Sequence, residues 1–379
     1  MKSAVCDLFE VEFPILAFSH CRDVVAAVSK AGGLGVLGAV AHSDQQLEID
    51  LQWIEEEVGE RPYGVDLIIP AKYEGDGDGG LDMSDIADLI PAQHRDFVDD
   101  ILARYDVPEL PDDVPVRGPY VGTGDAPFSA NRAATQLEIV LAHGPALVAN
   151  ALGPPPPDMI AAVHGAGRKV AALAGRPVHA ERHITAGADL IVAQGSEAGG
   201  HTGEIGSMVV IPEIVDAAGD VPVLGAGGIG RGRQMAAAMA LGAEGVWCGS
   251  VWLTTDEAET HPVVKQKMLH ATSADTIRSR SLTGKPARQL KSAWTMEWDR
   301  DDTPAPLGMP LQPILTAEAQ ARINRAAHDT ESGAGKLANY FVGQVVGTMN
   351  RSKPAAQVVY DMIDEFIDAT QALAARLED

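Results

Sequence analysis

PVLGAGGIGRGRQMAAAMALGAEGVWCGS, Pro222–Ser250, decides the fold. An apolar run ends in a glycine cluster, a stretch of helical periodicity follows over Arg231–Leu241, and a second apolar run, GVWCGS from Gly245, ends in Gly249 and Ser250. Strands that are apolar throughout are buried on both faces, and two of them joined by a helix make a parallel βαβ unit. The same unit recurs outward from here. Apolar runs bounded by Gly, Pro or polar residues are PILAFS from Pro14, GLGVLGA from Gly33, YGVDLIIP from Tyr63, ALVANALG from Ala146, KVAALAG from Lys169 and DLIVAQG from Asp189. Helical segments such as Asp23–Ala31 and Pro157–Ala166 lie between them. Eight strands alternating with helices predict an α/β fold, a (β/α)8 TIM barrel. An open doubly wound sheet would give the same periodicity.

The 379 residues carry 29 Lys plus Arg against 53 Asp plus Glu, a formal net charge of −24. That balance repels a phosphate backbone or an anionic lipid surface, so neither nucleic acid nor membrane is an expected partner. Cys6, Cys21 and Cys248 are scattered without CxxC spacing, which signals neither a disulfide framework nor a metal site and fits a reducing cytoplasm. The N-terminus, MKSAVCDLFEVEF, is acidic where a signal peptide is basic, and no run of about 18 uncharged apolar residues occurs. The expectation is a cytoplasmic protein acting on a small molecule, with self-association into a homo-oligomer left open.

Two regions break the rhythm. About 75 residues separate the third and fourth runs, including EGDGDGGLDMSD and VPELPDDVPVRGP, so an insertion over about 71–135 is expected at the C-terminal rim of strand three. It is either a lid over the site or a solvated decoration. After Thr255 the chain is mostly helical, ending in QVVYDMIDEFIDATQALAARLED with apolar residues three and four apart. The expected organisation is a barrel over 1–255 and a helical C-terminal region over 256–379 packed on it. Gly33, Gly35 and Gly38 spell G-x-G-x-x-G, but a helical stretch precedes them and they lie within an apolar run, which is the wrong context for a dinucleotide fingerprint. They read as a glycine-rich second strand whose small residues admit a flat ligand.

The sixth run ends in Gln194-Gly195-Ser196-Glu197-Ala198-Gly199-Gly200-His201. An isolated histidine is usually structural, but one presented by a Gly-Gly pair just after a barrel strand stands where catalytic groups sit. The seventh and eighth runs end in Gly225–Gly230 and Trp247–Ser250, and glycines at consecutive strand ends expose bare amides to a phosphate, with the Ser250 hydroxyl as a further contact. The pairing points to a phosphorylated cofactor.

Four runs, AVSKAGGLGVLGA (Ala27–Ala39), QGSEAGGHTG (Gln194–Gly203), PVLGAGGI (Pro222–Ile229) and GAEGVWCGS (Gly242–Ser250), resemble the nitronate monooxygenase family, formerly called 2-nitropropane dioxygenases. The resemblance spans roughly Phe13 to Thr255, with fainter echoes in SLTGKPAR (Ser281–Arg288) and at Gly343-Gln344. It implies an FMN-dependent oxidoreductase that oxidises nitronates with molecular oxygen. Flavin-dependent enoyl reductases and enzymes acting on CoA thioesters look similar, which implies as an alternative an FMN enzyme acting on an unsaturated or CoA-linked substrate with NAD(P)H. A non-catalytic flavin-binding protein is a third reading, and a rim histidine argues against it. Carried over by the resemblance, Gln194 and Gly199 with Gly200 contact the flavin, Gly227 and Gly228 take its phosphate, and Trp247, Cys248, Gly249 and Ser250 complete the cofactor surface. His201 matches the catalytic histidine. It would take the proton α to the nitro group or hold the nitronate in place, or, in the reductase reading, donate a proton.

Two positions depart from the family pattern. Strand one continues as Ala17-Phe18-Ser19-His20, placing a second histidine at its end, where it serves as an acid or base, as a neutral donor to the flavin, or only structurally. Strand three carries Asp66 where the family tends to have Asn, so an amide contact to the cofactor becomes a carboxyl group, costly to bury unless paired or protonated.

Overall fold

The computed structural model describes residues 1–40, 42–69, 87–111, 113, 114, 116, 130–151 and 153–377. The strands in chain order are β1 (Ile15–Ser19), β2 (Leu34–Gly38), β3 (Tyr63–Leu67), β4 (Leu147–Asn150), β5 (Lys169–Ala174), β6 (Leu190–Gln194), β7 (Gly200–His201), β8 (Val223–Ala226), β9 (Gly245–Cys248), β10 (Thr276–Ser279) and β11 (Ala287–Leu290). Eight of them, β1 to β6 with β8 and β9, form a closed parallel barrel in that order, and β9 returns to β1 with Ala17 opposite Cys248. All eight apolar runs form barrel strands, so the TIM-barrel expectation holds and the open sheet is excluded.

Alternation within each strand builds two cores. Leu16, Val36, Ala149, Val192, Leu224 and Trp247 meet in one cluster, which only the barrel lumen can assemble from six different strands. Val5, Cys6 and Phe9 of the helix Ala4–Phe9 join that cluster and plug its lower end. The alternate residues, such as Ile15, Ala17, Val223, Val246 and Cys248, pack outward against the helices.

Gly35 and Gly38 lie inside β2, as a strand reading of the glycine run requires. The reason for the glycines is corrected, however. A Cβ on Gly35 would stand 2.2 Å from Val25 O, so the missing side chain lets the helix Arg22–Lys30 rest on the strand and leaves no opening for a ligand there.

The expected division at residue 255 assigns the helix Ala355–Ala374 to the C-terminal region. In space its Ala355, Val359, Met362 and Ile363 share a core with Met235 and Ala238 of the helix Gly232–Ala240 and Val24 and Val28 of the helix Arg22–Lys30. It therefore occupies the position of the eighth barrel helix. A Cβ on Gly232 would stand 2.0 Å from Met362 O, so these helices cross in backbone contact.

The chain between β9 and that helix rises from the barrel rim and joins part of the excursion that leaves β3. Val98, Ile101 and Leu102 of the helix Ala92–Arg104 bury against Trp294, Trp298, Ile323 and Leu337 in a separate core. Glu297 ties the two excursions, accepting from both terminal nitrogens of Arg104 at 2.8 Å each and from Tyr105 Oη at 3.2 Å. Of the insertion expected over about 71–135 and read as lid or decoration, residues 71–86, 112, 115 and 117–129 lie outside the described residues. Within this cap, β10, β11 and β7 form a small antiparallel sheet. Among the described residues no helix is long and apolar enough to cross a membrane.

Candidate functional site at the barrel mouth

In β3, Tyr63, Val65 and Leu67 pack outward, so alternation turns Asp66 into the lumen near the C-terminal mouth. The same parity turns Phe18 and Trp247 inward, their rings 6.2 Å apart and 25° from parallel. His20 follows Phe18 at the end of β1. Its Nδ1 donates to Gly38 O at 2.7 Å, because a carbonyl only accepts, and the neutral ring then keeps a lone pair on Nε2. Burial lowers the pKa of His20 against the opposing effect of that hydrogen bond, so the ring is neutral at pH 7. A Cβ on Gly38 would meet His20 Nδ1 at 2.7 Å, which accounts for glycine there.

Gly38 pairs with Asp66, so His20, Gly38 and Asp66 follow one another across three adjacent strands. Asp66 is 6% exposed and its Oδ1 is buried with no hydrogen-bond partner among the described residues. Burial alone pushes its pKa up to about 7. An unsatisfied buried acceptor costs about 1–3 kcal/mol, and an uncompensated charge more, so this group favours its acid form and can donate to a ligand in the lumen.

A consequence for stability has a definite sign. The unfolded carboxyl loses its proton near pH 4 while the folded one keeps it to about 7, so Asp66 makes the flavin-free protein less stable as pH rises from about 4 to about 7. Asp66→Asn is expected to remove that slope. Melting temperatures of parent and variant should diverge in the variant's favour over this window and run parallel above it. Parallel curves throughout would return the pKa of Asp66 to the ordinary carboxyl range.

At the neighbouring strand ends, Ala226 pairs with Trp247, which sets Gly227-Gly228 beside Cys248-Gly249. Gly227 and Gly228 have φ of +98° and +70°, in the region that favours glycine. A Cβ on Gly227 would lie 2.8 Å from Gly195 O and 2.9 Å from Gly195 N, and one on Gly228 would lie 3.0 Å from Glu197 Cβ. The loop is braced by Gln234, whose Nε2 donates to Gly228 O at 2.7 Å and whose Oε1 accepts from Gly230 N at 2.9 Å. A 3-10 helix, Ser250–Thr254, begins at the end of β9. Ser250 Oγ accepts from Gly343 N at 2.8 Å, which leaves its O–H free to donate.

Cys248 requires a correction. Its side chain packs outward in the helix layer, 1% exposed, with its thiol pushed up to about 12 by burial, so only its backbone remains available to a cofactor. Residue parity explains this: Trp247 faces the lumen and its neighbour cannot.

Gln194 ends β6 with Ala226 opposite, half-buried at the same mouth. The loop after it is fixed from several sides. The Glu197 carboxylate accepts from Ser207 N and Oγ at 2.9–3.1 Å, capping the helix Ser207–Ala218. Glu197 O accepts from Gln344 N at 2.9 Å. A Cβ on Gly199 would stand 2.9 Å from Gly343 N, so that glycine serves the crossing of two backbone segments. Gly200, at φ +74° with open space around it, leads into His201.

His201 pairs with Ala287 in the cap sheet and its Nδ1 donates to Pro286 O at 3.2 Å. The ring lies 6.5 Å from that of Phe341 and is open to solvent on its remaining side. The protein around it lowers its pKa by desolvation, and the nearby Lys285 ammonium adds to this. A neutral imidazole anchored through Nδ1 presents an unprotonated Nε2, the form required of a base. Arg288, donating to Ser196 O at 2.9 and 3.0 Å, and Arg278, donating to Thr202 O at 3.2 Å, hold the loop from the sheet side. Sequence reasoning assigned no role to Gln234, Pro286, Arg278 or Arg288. The faint echoes at SLTGKPAR and Gly343-Gln344 were the available signal, since both segments close on the His201 loop.

The family model described as nitronate monooxygenase matches residues 2–365. A Mycobacterium tuberculosis protein named as a monooxygenase is 58% identical, with 98% of each chain covered. A Staphylococcus saprophyticus protein named as a nitronate monooxygenase is 29% identical, covering 83% of this chain and 86% of the relative. Among solved structures, nitroalkane oxidase from Streptomyces ansochromogenes superposes with a TM-score of 0.78 at 27% identity, covering 98% of this chain and all of that one. FabK from Thermotoga maritima gives 0.71 at 26% identity, with 99% of each chain covered.

Proposed function

Because the chain belongs to the nitronate monooxygenase family and is thus a flavin-dependent oxidoreductase, we propose that it holds FMN at the barrel mouth and oxidises nitronates with molecular oxygen, using His201. The observation that carries this reading is the convergence of three features. A cradle at Gly227-Gly228 admits no side chain, an orphaned buried carboxyl faces the lumen at Asp66, and the accessible imidazole of His201 is anchored through Nδ1.

The fit to the cofactor follows from these residues. The amides of Gly227, Gly228 and Gly249 and the hydroxyl of Ser250 would hold the phosphate. Asp66, in its acid form, would donate to a polar edge of the ring system, and His20 would offer Nε2 as an acceptor. Bound there, the flavin supplies the electron-accepting chemistry of the reaction. His201 Nε2 removes the proton from the carbon that bears the nitro group, or orients a nitronate already formed.

A second reading rests on that cap. Two excursions joined through Glu297 form a roof beside His201 that suits a longer substrate, an unsaturated or CoA-linked compound turned over with NAD(P)H. The test is direct. The purified protein is expected to be yellow and to release a chromophore with one phosphate. Under anaerobic conditions propyl-2-nitronate should bleach it. Bleaching by NADH or NADPH and not by the nitronate would select the second reading, and colourless protein that takes up no FMN would reject both.

A further inference from the structure

In a chain of net charge −24, the twenty-one residues Thr276–Met296 contain Arg278, Arg280, Lys285, Arg288 and Lys291 and no Asp or Glu. They build the hairpin β10–β11, whose β11 pairs with β7, the strand carrying His201. Among the described residues none of the five has a carboxylate within 4.0 Å; the donors that are engaged go to neutral oxygens. Arg278 and Arg288 stand directly opposite one another in the ladder, an unfavourable like-charge pairing, and Arg278 Nε is buried without a partner among the described residues. Their guanidinium groups hold the His201 loop. Arg280 and Lys285 differ from them, both exposed on the turn that ends at Pro286, whose carbonyl anchors His201. Among the described residues Arg280 binds the turn only through Nε, to Gly284 O at 2.7 Å, with no bond from its terminal nitrogens, and none involves Lys285 Nζ.

Uncompensated cations gathered at the entrance of an otherwise acidic molecule answer to a polyanion that arrives and leaves. We propose that Arg280 and Lys285 bind the phosphate-bearing end of a nucleotide-linked substrate or reductant whose reactive end reaches His201. The inference rests on the second reading of the site, with His201 facing the reacting group. The shared chemistry is a phosphate or diphosphate ester, and two sources offer it, a CoA thioester and a reduced nicotinamide dinucleotide.

The flavin-loaded protein is titrated calorimetrically with coenzyme A, with NADPH and with pantetheine, which has the thiol arm of coenzyme A and no phosphate. The parent is expected to bind coenzyme A or NADPH with an affinity that falls steeply with salt, and pantetheine far more weakly. Lys285→Glu should weaken the bound phosphate ester at least tenfold, the loss expected of one charge-assisted bond, and Arg280→Glu with Lys285→Glu further still. An unchanged flavin spectrum verifies the fold, and the single variant stands if the turn does not tolerate replacement of Arg280. Which of the two ligands binds identifies the source. Binding of neither, or equal binding by parent and variants, overturns the proposal. Bleaching by propyl-2-nitronate without binding of either ligand would leave the proposed oxidation intact while removing this site. Charge-dependent binding without such bleaching would do the opposite.

Discussion

Replacing His201 with Ala is expected to lower turnover by roughly 10²–10⁴-fold, the range contributed by a positioned acid or base, while flavin stays bound. The two effects separate because His201 belongs to the cap sheet, whereas the glycine cradle is built from the ends of β8 and β9. Its anchor is a main-chain carbonyl, Pro286 O, so removing the ring leaves the partner able to bond water. Because the imidazole pKa is held below its ordinary 6.5, the base form prevails at neutral pH. Activity in the parent should therefore fall as pH drops through the acidic side of that value, and the alanine variant should lack this limb. Stopped-flow turnover with propyl-2-nitronate and the visible flavin spectrum read the two quantities separately. Unchanged turnover would take His201 out of the chemistry.

Gly227→Ala is expected to produce nearly colourless protein with FMN affinity reduced at least hundredfold, or about 3 kcal/mol. A non-glycine residue at φ +98° costs on the order of 1–3 kcal/mol before any contact is counted. The new Cβ then meets Gly195 N and O at under 3.0 Å, and that backbone cannot retreat freely, since Gly195 N, just past the end of β6, bonds Ala226 O of β8 at 3.0 Å. The loop must therefore shift, and with it the amides proposed to hold the phosphate. Fluorescence titration of flavin-free protein with FMN measures the loss, with far-ultraviolet circular dichroism as the control for folding. The comparison is Gly59→Ala, at φ +62° with nothing within 4 Å of the added carbon, which should leave flavin affinity unchanged. Parent-like affinity in Gly227→Ala would mean that the phosphate lies elsewhere.

The barrel was legible because each of its strands is buried on both faces, and runs such as LVAN at Leu147–Asn150 or LIVAQ at Leu190–Gln194 are short, apolar and bounded by polar or glycine residues. The cap was not, for a physical reason. Its core joins Val98 and Ile101 to Trp294, Trp298 and Ile323, residues some two hundred positions apart, and periodicity reports that a helix has an apolar face without saying what covers it. The same ambiguity concealed the station of the helix Ala355–Ala374. At the site, glycine clusters were visible but their reasons were not separable. Gly35, Gly199 and Gly227 all accommodate neighbouring backbone, and Gly227 and Gly228 alone among these four hold a positive φ outside a strand at the ends of β8 and β9. Strand parity would have set Cys248 aside, since an inward Trp247 fixes its neighbour outward. The effect of Asp66 also depended on structure, because only burial without a partner makes a carboxyl keep its proton.

The crossing at Gly232 bears on how the polypeptide is made. Strand β9 leaves the ribosome about a hundred residues ahead of the helix that covers its flank. Until Val359, Met362 and Ile363 arrive, the nascent chain carries an oily furrow between two helices, a natural foothold for a chaperone and a hazard for self-adhesion during synthesis.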